Sequence, residues 1–455
     1  MENEMELHGQ DLKEEILSCL AEKKYARISQ LMKPVNPVDA ATLVQSLPRQ
    51  GTLLLFRLLP KEVAAEAFAY MDSDAQTVLV DGFSDKELRE VLDQLYLDDT
   101  VEMLEEMPAN VVKRVLRHVD SETRSMINQV LNYPKDSAGS IMTMEYVDLK
   151  RQMTVAQAFQ RIRETGIDKE TVYTCYVTDS RRKLEGIVTV KDLLFADTEK
   201  RMEEIMETNI KYVTTHTDQE EVAKRLSKYD FLAVPVVDQE LRLVGIVTMD
   251  DAMDVMEEEA TEDIQRMAAI TPFDKPYLKL SVFEIWKKRI PWLLVLMISA
   301  TFTSTIISAY EEALSAFVIL TNFIPMLMNT GGNAGSQSST TMIRGISLGE
   351  LENRNLFGVF GKELAVAFFC ALTLSAANLL KMLFLDRVMP MVAVVVSSTL
   401  FFVVIAANAV GAMLPVLAKK LGLDPAVMAS PVITTLIDAF ALMIYFNIAG
   451  VLLHI

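Results

Sequence analysis

Cysteine, histidine and positive charge are all in short supply. The three cysteines, Cys19, Cys175 and Cys370, are widely separated and form no C-x-x-C pair. Disulfides and thiolate metal sites are not expected, and the soluble part suits a reducing cytosol. Four histidines, with no His/Cys cluster, give no pointer to a transition metal. Lys and Arg number 44 against 62 Asp and Glu, a net charge of −18. Such a chain repels nucleic acid and attracts cations. The opening MENEMELHGQDLKEE has no basic n-region and no apolar h-region. It is not expected to be a signal peptide, so residues 1–285 are expected on the cytoplasmic side.

What is present is unevenly spread. From Trp286 onward ten basic and eight acidic residues leave +2, so residues 1–285 carry −20. That second part holds five long apolar stretches, about 291–310, 316–342, 363–384, 389–417 and 427–453. Each approaches the roughly 20 residues of a spanning helix, and Pro325, Pro415 and Pro431 suggest tilts or kinks. With the N-terminus inside, the cytoplasmic flanks hold Lys287, Lys288, Arg289, Arg344, Arg354, Lys362, Lys419 and Lys420. The outer loops hold Lys381 and Arg387 beside Glu311 and Glu312. This bias supports a multi-pass protein with its C-terminus outside.

Residues 1–135 read as short amphipathic helices punctuated by Pro and Asp, in the manner of a small α-solenoid. Residues 136–258 contain a duplication. SIMT opens the first copy and LEGIVTVKDL closes it; EIME and LVGIVTMDDAM do the same for the second. Each copy reads strand, helix, strand, strand, helix. The pattern resembles a tandem pair of CBS domains, here 136–200 and 201–258, which implies a regulatory module.

Three features carry chemistry. Asp438 lies near the middle of the fifth stretch, and no Lys, Arg or His lies deep in any stretch to pair with it. A lone carboxylate there costs several kcal/mol unless it is neutralised or faces water. It is therefore a protonated structural group, part of a proton relay, or a site for a transported cation. NTGGNAGSQSSTT, residues 329–341, is unusually polar and small. It reads either as small-residue helix packing or as a broken helix lining a cavity. Gly332, Asn333 and Gln337 are the pore-lining candidates, with Asn333 and Gln337 four apart on one helical face, and Asn408 and Asn447 as further polar positions. The run Asp250–Asp263 has eight acids and no Lys or Arg. Four like-charged i,i+4 pairs destabilise a bare helix there, so it is a solvated acidic linker or a cation-bridged helix facing Asp218, Glu220 and Asp230. Hard cations prefer such oxygen ligands.

The order of parts resembles the MgtE magnesium channels over essentially the whole chain: a helical N-domain (1–135), a CBS pair, an acidic connecting helix, and five spans (286–455) with GGNAGSQ and a final-span Asp. The resemblance implies a multidomain membrane protein with an α-solenoid N-domain, an α/β tandem CBS pair, a long "plug" helix and linker (250–285), and an all-α five-helix transmembrane domain. It further implies a homodimer in the plasma membrane, with Mg2+ held by Asp438 in the pore. Mg2+ between the domains is implied at Asp218, Glu220, Asp230, Asp251, Asp254, Glu259, Glu262 and Asp263, with Glu66, Asp98 and Glu102 on the N-domain side. ATP in the CBS cleft would have Tyr173 and Phe231 as neighbours. Ser336 stands where the family motif commonly has a second Asn. Other readings are a different divalent cation (Co2+ or Ca2+), a CBS-gated anion channel, and an intramembrane aspartyl protease, which needs a second deep Asp. A CBS-regulated enzyme is disfavoured by the lack of a nucleophile–base motif or phosphate loop.

Overall fold

Proline and aspartate set the starts of the N-terminal helices. In the computed structural model, which describes residues 2–273, 277–311, 315, 317–351, 356–428 and 430–453, ten helices run from Glu2–Ala21 to Ser121–Val130. Pro48, Pro60 and Pro108 stand at N-caps, where a missing N–H is harmless. Asn36, Asp72 and Asp120 accept from the first-turn amides, and Ser84 with Glu87 forms a reciprocal capping box. Helices two apart in sequence pack on one another along this region. The chain divides into two units, residues 1–256 and 257–455.

The CBS copies repeat at the level of register. Strands β1 (Asp148–Lys150), β2 (Thr174–Thr178) and β3 (Leu184–Thr189) form one sheet in that order; β4 (Val213–Thr214), β5 (Ala233–Val237) and β6 (Leu243–Thr248) form the other. In each, the first pair is parallel and the second antiparallel, with a register shift near the end. Arg182 at the turn of the first copy donates to the carbonyl of Leu243 (3.2 Å) and to the Tyr146 hydroxyl (2.9 Å), tying the two sheets. Their cores differ. Val147, Leu149, Val177 and Val188 belong to a cluster built from the first copy and closed by Met202 at the start of the second. Val222, Val234 and Val247 of the second copy share one continuous cluster with N-terminal residues such as Met32, Leu55, Leu79 and Val115.

The acidic run is helical, over Met249–Met267, with Ala252 and Val255 buried. It is shorter than expected. Ala269 adopts a left-handed φ of 54°, and the Ile270 amide reaches back to the Gln265 carbonyl at 2.9 Å, a helix-terminating arrangement. Residues 274–276 of the expected plug and linker lie outside the described residues, as do Glu312 and Arg354.

Among the described residues of the second unit, four helices are long and apolar enough to cross a membrane: Val282–Ala309, Leu356–Phe384, Pro390–Lys420 and Pro431–Leu453. The expected second span differs. A 3-10 turn, Val318–Phe323, precedes a helix, Ile324–Ser347, whose glycine- and serine-rich middle lowers its hydropathy below that of the other four. It packs against Pro390–Lys420 and the last helix. Pro325 and Pro431 sit at helix starts rather than at kinks. Pro415 is inside a helix as expected, and so is Pro291.

Candidate metal centre

Three carboxylates from distant parts of the first unit converge. Asp98, Glu145 and Glu170 place an oxygen each within 4.8 Å of one another. Asp98 lies on the first turn of Leu97–Glu106 beside Asp99. Glu145 sits just ahead of β1, where its carboxylate accepts from the Leu97 amide (3.3 Å) and its carbonyl from the Glu170 amide (2.9 Å). Asp251 comes from the first turn of the Met249–Met267 helix and accepts from the Thr248 hydroxyl at 2.5 Å. One Glu170 carboxylate oxygen is buried without a hydrogen-bond partner among the described residues.

The electrostatics follow from this crowding. Burial, and then Asp251, Asp99, Glu170 and Glu145, hold the Asp98 carboxyl well above the usual carboxylate range. Burial, followed by Asp251, Asp250 and Asp99, pushes Glu170 up to about 8. Asp99 rises to about 6 through burial, Asp251 and Asp250. Burial is also the main cause that takes Asp251 to about 6, although its Thr248 hydrogen bond opposes the rise. Glu145 is raised by burial too, against the Leu97 amide. Acids strained in this way gain from either protons or a cation. The donor set is all carboxylate oxygen, one of the Glu170 oxygens being buried and unpartnered among the described residues, which fits a hard divalent ion.

Of the expected sensor residues, the structure brings Asp98 and Asp251 together. Glu66 is exposed on Lys61–Ala69, close enough to raise the Tyr70 and Tyr96 hydroxyls, though burial is the larger cause. Glu102 is exposed one turn beyond Asp98, and Asp254 is exposed on the acidic helix. Asp218, Glu220 and Asp230 are spread along one helix of the second copy. Asp218 caps the start of Gln219–Tyr229, Asp230 caps its end at φ 54°, and Glu220 pairs with Lys224 at 2.6 Å. Ten or more residues of helix separate these ends by about 16 Å. In the second unit, Glu259 is half-buried, Glu262 and Asp424 both pair with Arg266, and Asp263 accepts from Ser347 at 3.3 Å.

Glu145 and Glu170 escaped the sequence reading, as did Asp99. A signal existed. Aligning the copies through their strand registers puts Asn209 and Tyr229 where the first copy has Glu145 and Glu170, so the acids belong to one copy only. Tyr173 is exposed just before β2. Phe231 stacks on Tyr229, ring centroids 5.4 Å apart.

In the bundle, Asp438 is half-buried on Ser430–Leu453. The glycine-rich motif is not broken: Ile324–Ser347 is helical throughout, because its glycines serve packing. A Cβ on Gly331 would fall 2.7 Å from Val403, one on Gly332 3.1 Å from Thr434, and one on Gly411 would collide with the Gly335 carbonyl. Asn333 and Gln337 face outward on the exposed side of that helix, with Ser336 half-buried between them. Asn408 and Asn447 bond back to the carbonyls of Val404 and Met443, which occupies their amide donors within their own helices.

Family models match in the same order: MgtE intracellular N domain over 35–136, CBS domain over 138–199 and 202–258, and MgtE, a divalent cation transporter, over 324–448. These parts define a membrane transport protein with a CBS pair on the same chain. The chain is 37% identical over 440 residues to the magnesium transporter MgtE of Thermus thermophilus, covering 96% of this chain and 97% of that one. It is 29% identical over 447 residues to the Bacillus subtilis protein of the same name, with coverage of 96% and 97%. The chain belongs to the MgtE family of magnesium transporters. Two solved structures share the soluble architecture. The cytosolic domain of the Mg2+ channel MgtE in complex with ATP has 36% identity and TM-score 0.51, covering 53% of this chain and 98% of that one. The soluble part of a magnesium transporter has 28% identity and TM-score 0.52, covering 55% and 99%.

Proposed function

We propose that the chain is a homodimeric plasma-membrane channel that admits Mg2+ and is closed by cytosolic Mg2+. The observation that carries the gating half is the crowded set Asp98, Glu145, Glu170 and Asp251, drawn from the N-domain, the first CBS copy and the start of the plug helix. At low cytosolic Mg2+ these acids repel one another and the sensor loosens. When divalent charge neutralises them, the three parts are held together and the pore shuts. Linkage requires the closed form to bind the ion more tightly. Uptake is driven by an inside-negative potential worth about 2.3 kcal/mol per charge per 100 mV.

For the pore, Ile324–Ser347 is the second of five spans and the C-terminus lies outside. Asp438 holds the permeating ion, with Gly332, Asn333 and Gln337 of the glycine-rich helix along the path. The N-terminal helix layers form a solenoid. An oxygen-only donor set also accommodates Co2+ or Ca2+, so selectivity is part of the test. A relative's cytosolic domain is described in complex with ATP; here Tyr173 and Phe231 would flank an adenine in the CBS cleft.

The test is ion flux into proteoliposomes, comparing wild type with Asp438→Ala. Mg2+ flux in wild type that the folded variant loses supports the reading. Equal flux in both removes Asp438 from the permeation path, and wild-type flux of Co2+ or Ca2+ in preference to Mg2+ moves the substrate.

A further inference from the structure

One acidic side chain of the bundle has no role in the reading above. Glu363 lies on the second turn of the apolar helix Leu356–Phe384. Its carboxylate oxygen is 2.8 Å from the Ser338 hydroxyl, and that hydroxyl is also 3.2 Å from the carbonyl of Asn408. Ser338 is 3% exposed. Three helices therefore meet at one hydroxyl: the glycine-rich helix, Leu356–Phe384 and Pro390–Lys420.

The junction sits beside a crossing where two backbones come into contact. Ser338 is one turn beyond Gly335. A Cβ on Gly335 would lie 3.0 Å from the Ala407 carbonyl, and Gly411 has no room for one against Gly335. The polar contact thus pins two backbones at the level where glycine lets them touch. Gln337 is about 100° round the helix from Ser338, and it and Asn333 point to the exposed side. Turning the helix at this crossing would turn both amides.

We propose that Glu363 is a positioning residue for permeation, acting through Ser338 to fix the rotation of the glycine-rich helix and so the direction of Asn333 and Gln337. This rests on those amides lining the path. A hydroxyl has one proton to donate. Ionised Glu363 takes it directly. Protonated Glu363 would donate to Ser338, which then serves the Asn408 carbonyl. Either state closes the junction, so an amide in place of the carboxylate closes it too.

The experiment measures Mg2+ flux in proteoliposomes for the full-length wild type, Glu363→Gln, Glu363→Ala, Ser338→Ala and the Ser338→Ala/Glu363→Ala double variant, with Asp438→Ala alongside. Glu363→Gln is expected to retain wild-type flux. Glu363→Ala and Ser338→Ala should each lose about threefold to tenfold, in line with an interhelical hydrogen bond. The double variant should lose no more than either single one, because one interaction is removed in all three. Glu363→Gln as defective as Glu363→Ala would overturn the proposal in favour of a role for the charge. Wild-type flux in Glu363→Ala, or additive losses in the double variant, would overturn it outright. If Glu363→Ala does not fold, Ser338→Ala decides alone: normal flux refutes the proposal. A wild type that carries no Mg2+, or an Asp438→Ala variant that carries as much, counts against the functional reading. The positioning role fails separately, on the Glu363 and Ser338 variants of a conducting protein.

Discussion

Replacing Glu170 by Gln should stabilise the cation-free protein and weaken its response to Mg2+. Glu170 has an ordinary value of 4.5 and stands near 8 in the folded chain. The native state therefore holds a proton that the unfolded chain has released, and stability falls as pH rises from about 4.5 to about 8. Asp99 and Asp251, both near 6, add to the fall over its lower part. The full displacement of Glu170 would correspond to about 5 kcal/mol at pH 8. Partial solvent access screens it, and about 2 kcal/mol is the fair expectation. For a unit of this size each kcal/mol moves Tm by about 2–4 °C. Thermal melts in detergent with EDTA should show wild type losing Tm between pH 5 and pH 8. Glu170→Gln should melt about 4–8 °C higher than wild type at pH 8 and nearly level with it at pH 5. Millimolar Mg2+ should raise the wild-type Tm at pH 8 by more than it raises the variant's. A lower cation-free Tm for the variant at pH 8, or an undiminished Mg2+ response, would refute the idea that Glu170 is a strained member of a cation site.

Three further expectations follow from the same contacts. Asp251→Asn with Asp254→Asn should leave Mg2+ flux running at cytosolic concentrations that close the wild type; normal closure counts against the sensor. Gly411→Ala forces a Cβ into the Gly335 carbonyl and should destabilise the bundle by about 1–3 kcal/mol, seen as lost detergent-stable protein on gel filtration. Arg266→Ala removes the cation shared by Glu262 and Asp424. Because all three groups are partly solvent-accessible, the loss of stability read from the melt should stay within about 1 kcal/mol, and a larger loss would show a desolvated pair.

Much of the fold was legible because its signals are local. The closing strands LEGIVT and LVGIVT recur with the same neighbours, and their pairing partners recur with them. Pro48, Pro60 and Pro108 mark helix starts by removing an N–H that a helix interior needs. The glycine-rich segment was harder. Its two readings, packing and a broken helix, differ in what lies opposite each glycine, and Val403, Thr434 and Gly411 are some 70 to 100 positions away in the chain. The acidic cluster was legible only in part. Asp98 and Asp251 announce themselves by resemblance, whereas Glu145 and Glu170 matter because a loop and a sheet edge bring them to Asp98.

The core shared by the N-domain and the second CBS copy has a consequence for synthesis. Met32, Leu55 and Leu79 lie in one continuous apolar cluster with Val222, Val234 and Val247, and most of the separate core of the first CBS copy comes from the chain between them. As the chain leaves the ribosome, the N-terminal helices emerge first but stay partly uncovered until about residue 255 is out. The first CBS copy can close on itself meanwhile. Truncation anywhere between 136 and 250 should therefore strand apolar helices that a chaperone must hold.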